Sequence, residues 1–332
     1  MTDMTIADRR VADPRHTTAY VASGVLLLLY GIVPLAWTVY ALSVRETPIE
    51  EFFRALVWPE VDDPVRAMTP YEWALGVAFI VVGAFAVARR RAARGGAIVL
   101  AVGLVASSVR EAIGLLDSSY RAEYDYLDDT PWLLATRVAA LLIGLVVLVS
   151  MMRAKDDRNP RLTGRATLPI VGAVILVAAA LQLALRISLP GTKDFLRMVV
   201  TPADYSPANM FAGVPFYQGF VIVALFVVGI MALRYRRIAR GAALAIVPVA
   251  GYIGYYSVAP LLPYLSFDAI FSHGLAALTY AASLSTVLAA ILVLALLSLR
   301  DPDDEPETDD PLDPSALTPP ASDFGQQYPG GH

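Results

Sequence analysis

The fold is decided by residues 71–116, YEWALGVAFIVVGAFAVARRRAARGGAIVLAVGLVASSVREAIGLL, because the chain repeats them without a gap 146 residues later. Residues 217–262 read YQGFVIVALFVVGIMALRYRRIARGAALAIVPVAGYIGYYSVAPLL. The two stretches share Tyr71/Tyr217, Val81-Val82-Gly83/Val227-Val228-Gly229, Arg90-Arg91/Arg236-Arg237 and Arg94-Gly95/Arg240-Gly241. Shared hydrophobicity alone does not match an arginine cluster, so the similarity points to an internal duplication. Each copy holds two apolar runs around a basic turn, which makes the duplicated unit a membrane unit.

Composition agrees. Of 332 residues, 57% are hydrophobic and 17% charged, and the mean hydropathy is +0.57. A soluble chain carries about a quarter charged residues, and several runs here exceed the roughly 18 residues of a transmembrane helix. The expected fold class is therefore all-α, a polytopic integral membrane protein. With no cysteine, disulfides, thiolate metal sites and cysteine nucleophiles are excluded. His16, His273 and His332 are the only histidines and none pairs at helical spacing, so neither bis-histidine haem nor a histidine zinc site is expected. No cofactor is implied.

The net charge of −4 is unevenly placed. Residues 301–332 hold nine acids and no Lys or Arg, leaving +5 on the preceding 300. Arginine outnumbers lysine 24 to 2. Net acidity with arginine bias suits a halophile, since charge keeps proteins soluble in brine; GC-rich codon usage gives the same bias.

The apolar runs predict eight spans: 18–44, 71–89, 96–116, 132–152, 166–187, 215–234, 241–262 and 274–299. Basic connections follow spans two (Arg89, Arg90, Arg91, Arg94), four (Arg153, Lys155, Arg158, Arg161, Arg165) and six (Arg234, Arg236, Arg237, Arg240). The alternate connections are acidic: Glu46 to Asp63, Asp117 to Asp129, and Asp268. The positive-inside rule then puts the basic loops and both termini in the cytoplasm, with the chain in the cell membrane. Arg9, Arg10 and Arg15 before an apolar run, with Val39-Tyr40-Ala41 after it, also resemble a signal peptide. The run is long for one, and its counterpart at 166–187 opens the second half, so retention is expected.

Thr47-Pro48-Ile49-Glu50 reads as a helix start with a capping box. Ile49, Phe52, Phe53, Leu56 and Val57 share one face before Pro59. The second copy is Phe195 to Val200, with Arg197 matching Arg54 and Pro202 matching Pro59. Each segment is too short to span and is expected to lie in the outer interface, a re-entrant hairpin being the alternative. The organisation is thus a cytoplasmic segment 1–17; a four-helix unit 18–153 with an interfacial helix near 48–58; a basic linker 154–165; a second unit 166–300 with an interfacial segment near 193–201; and an acidic tail 301–332, disordered by composition. Four spans per unit is an even number, so the units face the same way, about a pseudo-twofold axis along the membrane normal.

The least expected residues are Arg110 and Glu111, about 22 Å along span three at 1.5 Å per residue, with Arg137 at similar depth in span four. Charge there costs a few kcal/mol unless paired or wet. One reading is a structural ion pair. The other is an anion or proton site in an outward vestibule. In the second copy Arg110 and Glu111 become Tyr256 and Ser257, and Arg137 becomes Tyr280, so hydroxyls replace charges. Glu72 and Gln218 share a position at the outer mouth, where Gln182 and Arg186 join them as vestibule candidates. Tyr71 and Tyr217 suit interface anchors. Span seven (Pro248, Gly251, Tyr252, Gly254, Tyr255) belongs at the bundle centre, either closely packed or broken around a path.

The outer acids Glu60, Asp62, Asp63, Asp125, Asp128 and Asp129 could ligate a hard cation, but their spacing fits no EF-hand, and solvated surface accounts for them. No nucleotide, nucleophile-elbow or metalloprotease motif occurs, no carboxylate pair suits an intramembrane protease, and Lys155 and Lys193 lie in loops. The chain is not expected to be an enzyme. The primary expectation is a small-solute or ion permease or channel-like protein whose pathway, between the two repeats, is lined by Arg110, Glu111, Arg137, Tyr256 and Ser257 at spans three, four, seven and eight. The alternatives are a non-transporting scaffold or subunit of a larger membrane complex, and a lipid-acting membrane enzyme. The implied partners are membrane lipids and another membrane protein or a second copy; nothing points to nucleic acid.

Overall fold

The computed structural model describes residues 11–45, 48–58, 70–125, 130–154, 167–188, 192–201, 213–234, 236–259 and 274–299. Within these the chain is helical, with eight helices long and apolar enough to cross a membrane. They are α1 (Thr17–Arg45), α3 (Pro70–Val87), α4 (Ala93–Gly114), α6 (Thr130–Arg153), α7 (Thr167–Ser188), α9 (Gly213–Leu233), α10 (Arg237–Val258) and α11 (Gly274–Leu299). Three short helices join them: α2 (Ile49–Val57), α5 (Ser118–Asp125) and α8 (Thr192–Val200). The expected spans are all present, most shifted by one to four residues. Pro59, Pro202, most of the outer acids, the linker lysine and arginines, and the acidic tail lie outside the described residues.

Helix packing follows a ring in each half. In the first, α1 packs on α3 and α6, and α4 on α3 and α6; in the second, α7 packs on α9 and α11, and α10 on α9 and α11. The halves meet chiefly where α4 lies along α10, with α10 also against α3. Lipid drives no apolar association between helices, so close approach needs small residues. Glycines supply it at matched places. A Cβ on Gly24 would lie 2.7 Å from the Gly83 carbonyl oxygen, and one on Gly172 would lie 2.7 Å from that of Gly229.

The α4–α10 crossing is tighter and reciprocal. A Cβ on Gly95 would collide with the Ile238 carbonyl, and one on Gly241 with the Ala92 carbonyl. These four positions correspond in pairs between the two copies of the sequence, Gly95 with Gly241 and Ala92 with Ile238. Below Leu100 the contact is filled by Ala97, Ala239, Ala242 and Ala243, all buried.

The shared arginines do more than carry charge. Arg94 Nε donates to the Met151 carbonyl at 2.9 Å, and an Arg240 terminal nitrogen donates to the Leu297 carbonyl at 2.9 Å. Each satisfies an orphan carbonyl in the last turn of its unit's fourth spanning helix, where the helix dipole also favours a cation. At the same end Arg91 Nε donates to the Val11 carbonyl at 2.9 Å and Ala12 N–H to the Arg89 carbonyl at 2.7 Å, tying the N-terminal segment to the arginine-rich turn.

Three local expectations change. Pro48, with φ −61° and ψ 138°, holds the N-cap position of α2 without a side-chain cap, where the sequence predicts the first helical position; Thr47 lies outside the described residues. The apolar face of α2 is divided: Phe52 is buried against Trp73, while Ile49, Phe53 and Val57 are exposed. The connection from Asp117 to Asp129, read as an acidic loop, contains α5. Asp117 Oδ1 accepts from Ser119 N–H at 2.8 Å and Tyr120 N–H at 3.2 Å, an N-terminal cap that makes α5 a helix. Helix α10 is continuous through Pro248; Gly251 and Gly254 give α11 close approach, at Ala290 and Ser283.

Candidate functional site

The charged group on α4 and α6 is buried: Glu111 is 1% exposed, Arg110 3% and Arg137 6%. Glu111 Oε1 accepts from the Tyr120 hydroxyl at 2.8 Å, and Oε2 lies 3.7 Å from an Arg137 terminal nitrogen. Ser108, one turn along from Glu111, donates to the Leu104 carbonyl at 2.9 Å and lies 3.2 Å from the Arg137 carbonyl, binding α4 to α6 again. A buried carboxylate persists when a cation and hydrogen bonds share its charge, and α5 supplies one of those bonds. Tyr120, absent from the expected set, is thus a member of it. Its signal in the sequence is the capping Asp117 three residues before it.

Arg110 points elsewhere. Its Nε donates to the Val199 carbonyl at 3.0 Å, and a terminal nitrogen lies 3.4 Å from the Thr201 carbonyl. Its guanidinium carbon sits 5.7 Å from the centre of the Phe216 ring, within cation–π range. Arg110, from the first half, therefore caps α8 of the second. The converse holds on the other side. The Tyr252 hydroxyl donates to the Leu56 carbonyl at 2.8 Å and the Tyr255 hydroxyl to the Val57 carbonyl at 2.6 Å, so α10 caps α2. Tyr256 stands 6.0 Å ring to ring from Tyr252, and Ser257 turns its hydroxyl to the Ile253 carbonyl of its own helix. Tyr280 is buried on α11.

Two cavities lie beside this group. One is lined by Pro34, Glu72, Leu75, Phe79, Leu104, Ser107 and Tyr217, among others. The second is lined by Gln182, Gln218, Val221, Leu225, Ala250, Ile253 and Tyr71, with Arg186 and Thr286. In that order the first seven residues of each are counterparts: 146 residues apart along α3/α9 and α4/α10, and 148 apart along α1/α7, the offset of Gly24 and Gly172. The two tyrosines cross over, Tyr217 entering the first cavity and Tyr71 the second. Their rings stack at 6.2 Å with 19° between planes, forming a wall shared by both cavities. Water-sized spheres can be centred in about 20 Å³ of each, room for one ordered water.

The vestibule candidates thus divide. Gln182, Arg186 and Gln218 converge in one cavity, whereas Glu72, 3% exposed, belongs to the other. Gln182 Nε2 donates to the Ala282 carbonyl at 3.1 Å and to Thr286 Oγ1 at 2.9 Å, which locks it between α7 and α11. Arg186 and Gln218 share this lining with the Tyr71 side chain. None of Arg110, Glu111, Arg137, Tyr256, Ser257 or Tyr280 lines either cavity. What surrounds the cavities instead is the wall of Tyr71 and Tyr217, read from the sequence as interface anchors.

Eight apolar spans arranged around a common interior define a multi-pass membrane protein. No family model matches the chain, and neither a curated protein nor a solved structure compared with it is similar.

Proposed function

We propose that the chain is a small-solute or ion permease or channel-like protein formed by tandem duplication, with its pathway between the two four-helix units. The observation that carries this reading is the pair of counterpart cavities, one lined by Tyr217 and the other by Tyr71, whose rings stack on each other. Corresponding residues line both, and the wall between them comes from the same position in each half. A pseudo-twofold axis along the membrane normal accounts for that correspondence. It accounts equally for the reciprocal contacts of Gly95 with Ile238 and Gly241 with Ala92, since an isologous contact repeats itself with partners exchanged. The matched caps made by Arg94 and Arg240 fit the same axis.

In this reading the arginine-rich end and both termini face the cytoplasm of a cell-membrane protein. Both cavities then lie in the outer half, above the alanine-filled crossing of α4 and α10. The conformation is closed: parting the tyrosines joins the cavities, and separating the crossing opens the inner half. Purified protein in vesicles should pass a small anion or cation faster than protein-free vesicles, and Tyr71→Ala with Tyr217→Ala should raise that flux. Equal flux in all three preparations overturns the proposal.

The second reading, a non-transporting scaffold or complex subunit, is favoured by the mutual capping of α2 and α8. Those caps bind each unit to the other at four carbonyls and suit a rigid platform. Co-purification of a stoichiometric membrane partner from native membranes, with no flux in vesicles, is its expected result.

A further inference from the structure

We infer that the cavity between α7, α9, α10 and α11 is a binding site for one small monovalent anion of halide size, held by Arg186 with Tyr71 and Gln218. This rests on the cavity assignment above and deepens it by naming the ligand class. The two counterpart cavities have been given opposite charge. Where the first has Glu72 the second has Gln218, and where α1 has Thr38, 148 residues earlier, α7 has Arg186. Both changes act in one direction: the second cavity loses a carboxylate and gains a guanidinium. No acid is among its lining residues.

The donors are already set. Arg186 can only donate, and the Tyr71 hydroxyl and Gln218 amide in the same lining can donate beside it. Arg186 Nε is buried and has no hydrogen-bond partner among the described residues. A buried N–H on a charged group without an acceptor is costly, and an anion in the adjoining cavity supplies that acceptor. Gln182, fixed by Ala282 and Thr286, forms a rigid floor and spends its N–H groups elsewhere. Room for about one ordered water suits chloride or bromide better than a carboxylic acid or a phosphate ester. The Val221, Ile222 and Leu225 walls lower the local dielectric, which strengthens the guanidinium–anion attraction.

The test uses the full chain purified in neutral detergent in gluconate buffer, titrated with chloride at constant ionic strength. Binding is read from chloride NMR line broadening and from the rise in unfolding temperature that a native-state ligand produces. Arg186→Gln should weaken chloride by about tenfold or more, the loss of one charge-assisted contact. Tyr71→Phe should weaken it several-fold, and Arg54→Gln, an exposed arginine on α2, should leave it unchanged. Tyr71→Phe removes one oxygen and keeps the test alive if Arg186→Gln does not fold. Saturable broadening lost in both variants supports the site. No broadening in the parent, or equal affinity in all four proteins, overturns it. Displacement of chloride by a short-chain anionic phospholipid reassigns the donors to lipid headgroups and also overturns it. Vesicle flux separates this proposal from the one it rests on: chloride binding without any flux removes transport and keeps the site, whereas flux with no chloride binding keeps transport and removes the site.

Discussion

Gly95→Ala and Gly241→Ala should each destabilise the protein severely, and together by less than the sum of the two. At Gly95 the new methyl lies 2.7 Å from Ala242 N and nearer still to the Ile238 carbonyl; at Gly241 it meets Ala92. Those neighbours are helix backbone, so no side chain can swing aside. Helices α4 and α10 must part by roughly an ångström to restore ordinary contact, and overpacking on that scale costs about 3 kcal/mol or more. At Gly96 the nearest atom is Val82 Cγ2 at 2.9 Å, followed by contacts at 3.1 Å. A valine tip yields by a few tenths of an ångström, so Gly96→Ala should cost only about 1 kcal/mol. Gly274 has nothing within 4 Å among the described residues, and Gly274→Ala should be neutral or stabilising by up to about 1 kcal/mol. Separating the helices at one glycine relieves the other, hence the sub-additive double variant. Unfolding in mixed micelles titrated with SDS, followed by tryptophan fluorescence, ranks the five proteins. Gly95→Ala or Gly241→Ala matching Gly274→Ala, or a strictly additive pair, refutes the reciprocal crossing.

Three further outcomes follow from the contacts of single side chains. Arg94→Ala and Arg240→Ala should cost similar amounts, about 1–2 kcal/mol each, and add, because their carbonyl acceptors lie on different helices; the same SDS titration reads both. Arg110→Ala should raise amide exchange in α8, and Tyr252→Phe with Tyr255→Phe should raise it in α2, each change appearing in the half that was not altered; exchange measured by mass spectrometry in detergent reads this. Glu111→Ala should cost about 3–5 kcal/mol by leaving Arg137 buried without its carboxylate, and adding Arg137→Leu should recover part of the loss, a cycle closed by four unfolding titrations.

The architecture was readable because its cause is local. Apolar run length sets a span, and the arginine turns between spans set alternation, so eight helices and their pairing into two sets follow from residues 71–116 and their copy. The caps on α6 and α11 were hidden inside the same signal: Arg94 and Arg240 read as cytoplasmic charge, yet their second role depends on helix ends 57 residues away. Helix α5 was overlooked because acids dominate its neighbourhood, although Asp117 already marks its start.

The charged residues of α4 were legible as a buried group, and their destinations were not. Arg110 finds its acceptors 89 and 91 residues along the chain, a pairing that no spacing rule contains. The two halves meet one task with residues that are not counterparts, since Tyr256 and Ser257, which align with Arg110 and Glu111, make no cap among the described residues. Arg110 holds α8 through its guanidinium, and Tyr252 and Tyr255 hold α2 through hydroxyls. The vestibule candidates divide between two cavities, a division that the proposed duplication explains. In the proposed twofold arrangement, counterpart positions away from the axis face counterpart cavities, and Glu72 and Gln218 line different ones. Only residues near the axis meet, and Tyr71 and Tyr217 do.

In the proposed pathway two counterpart cavities open toward the outer face and share one tyrosine wall. Because the chain has no cysteine, Ser107→Cys and its counterpart Ile253→Cys can each be labelled alone, in vesicles of known orientation, with a small membrane-impermeant thiol reagent. Both thiols should react from the outer side only, slowly in the closed protein and faster when Tyr217→Ala opens the wall. Reaction from the arginine-rich side, or reaction at one position with none at the other under any condition, would contradict it.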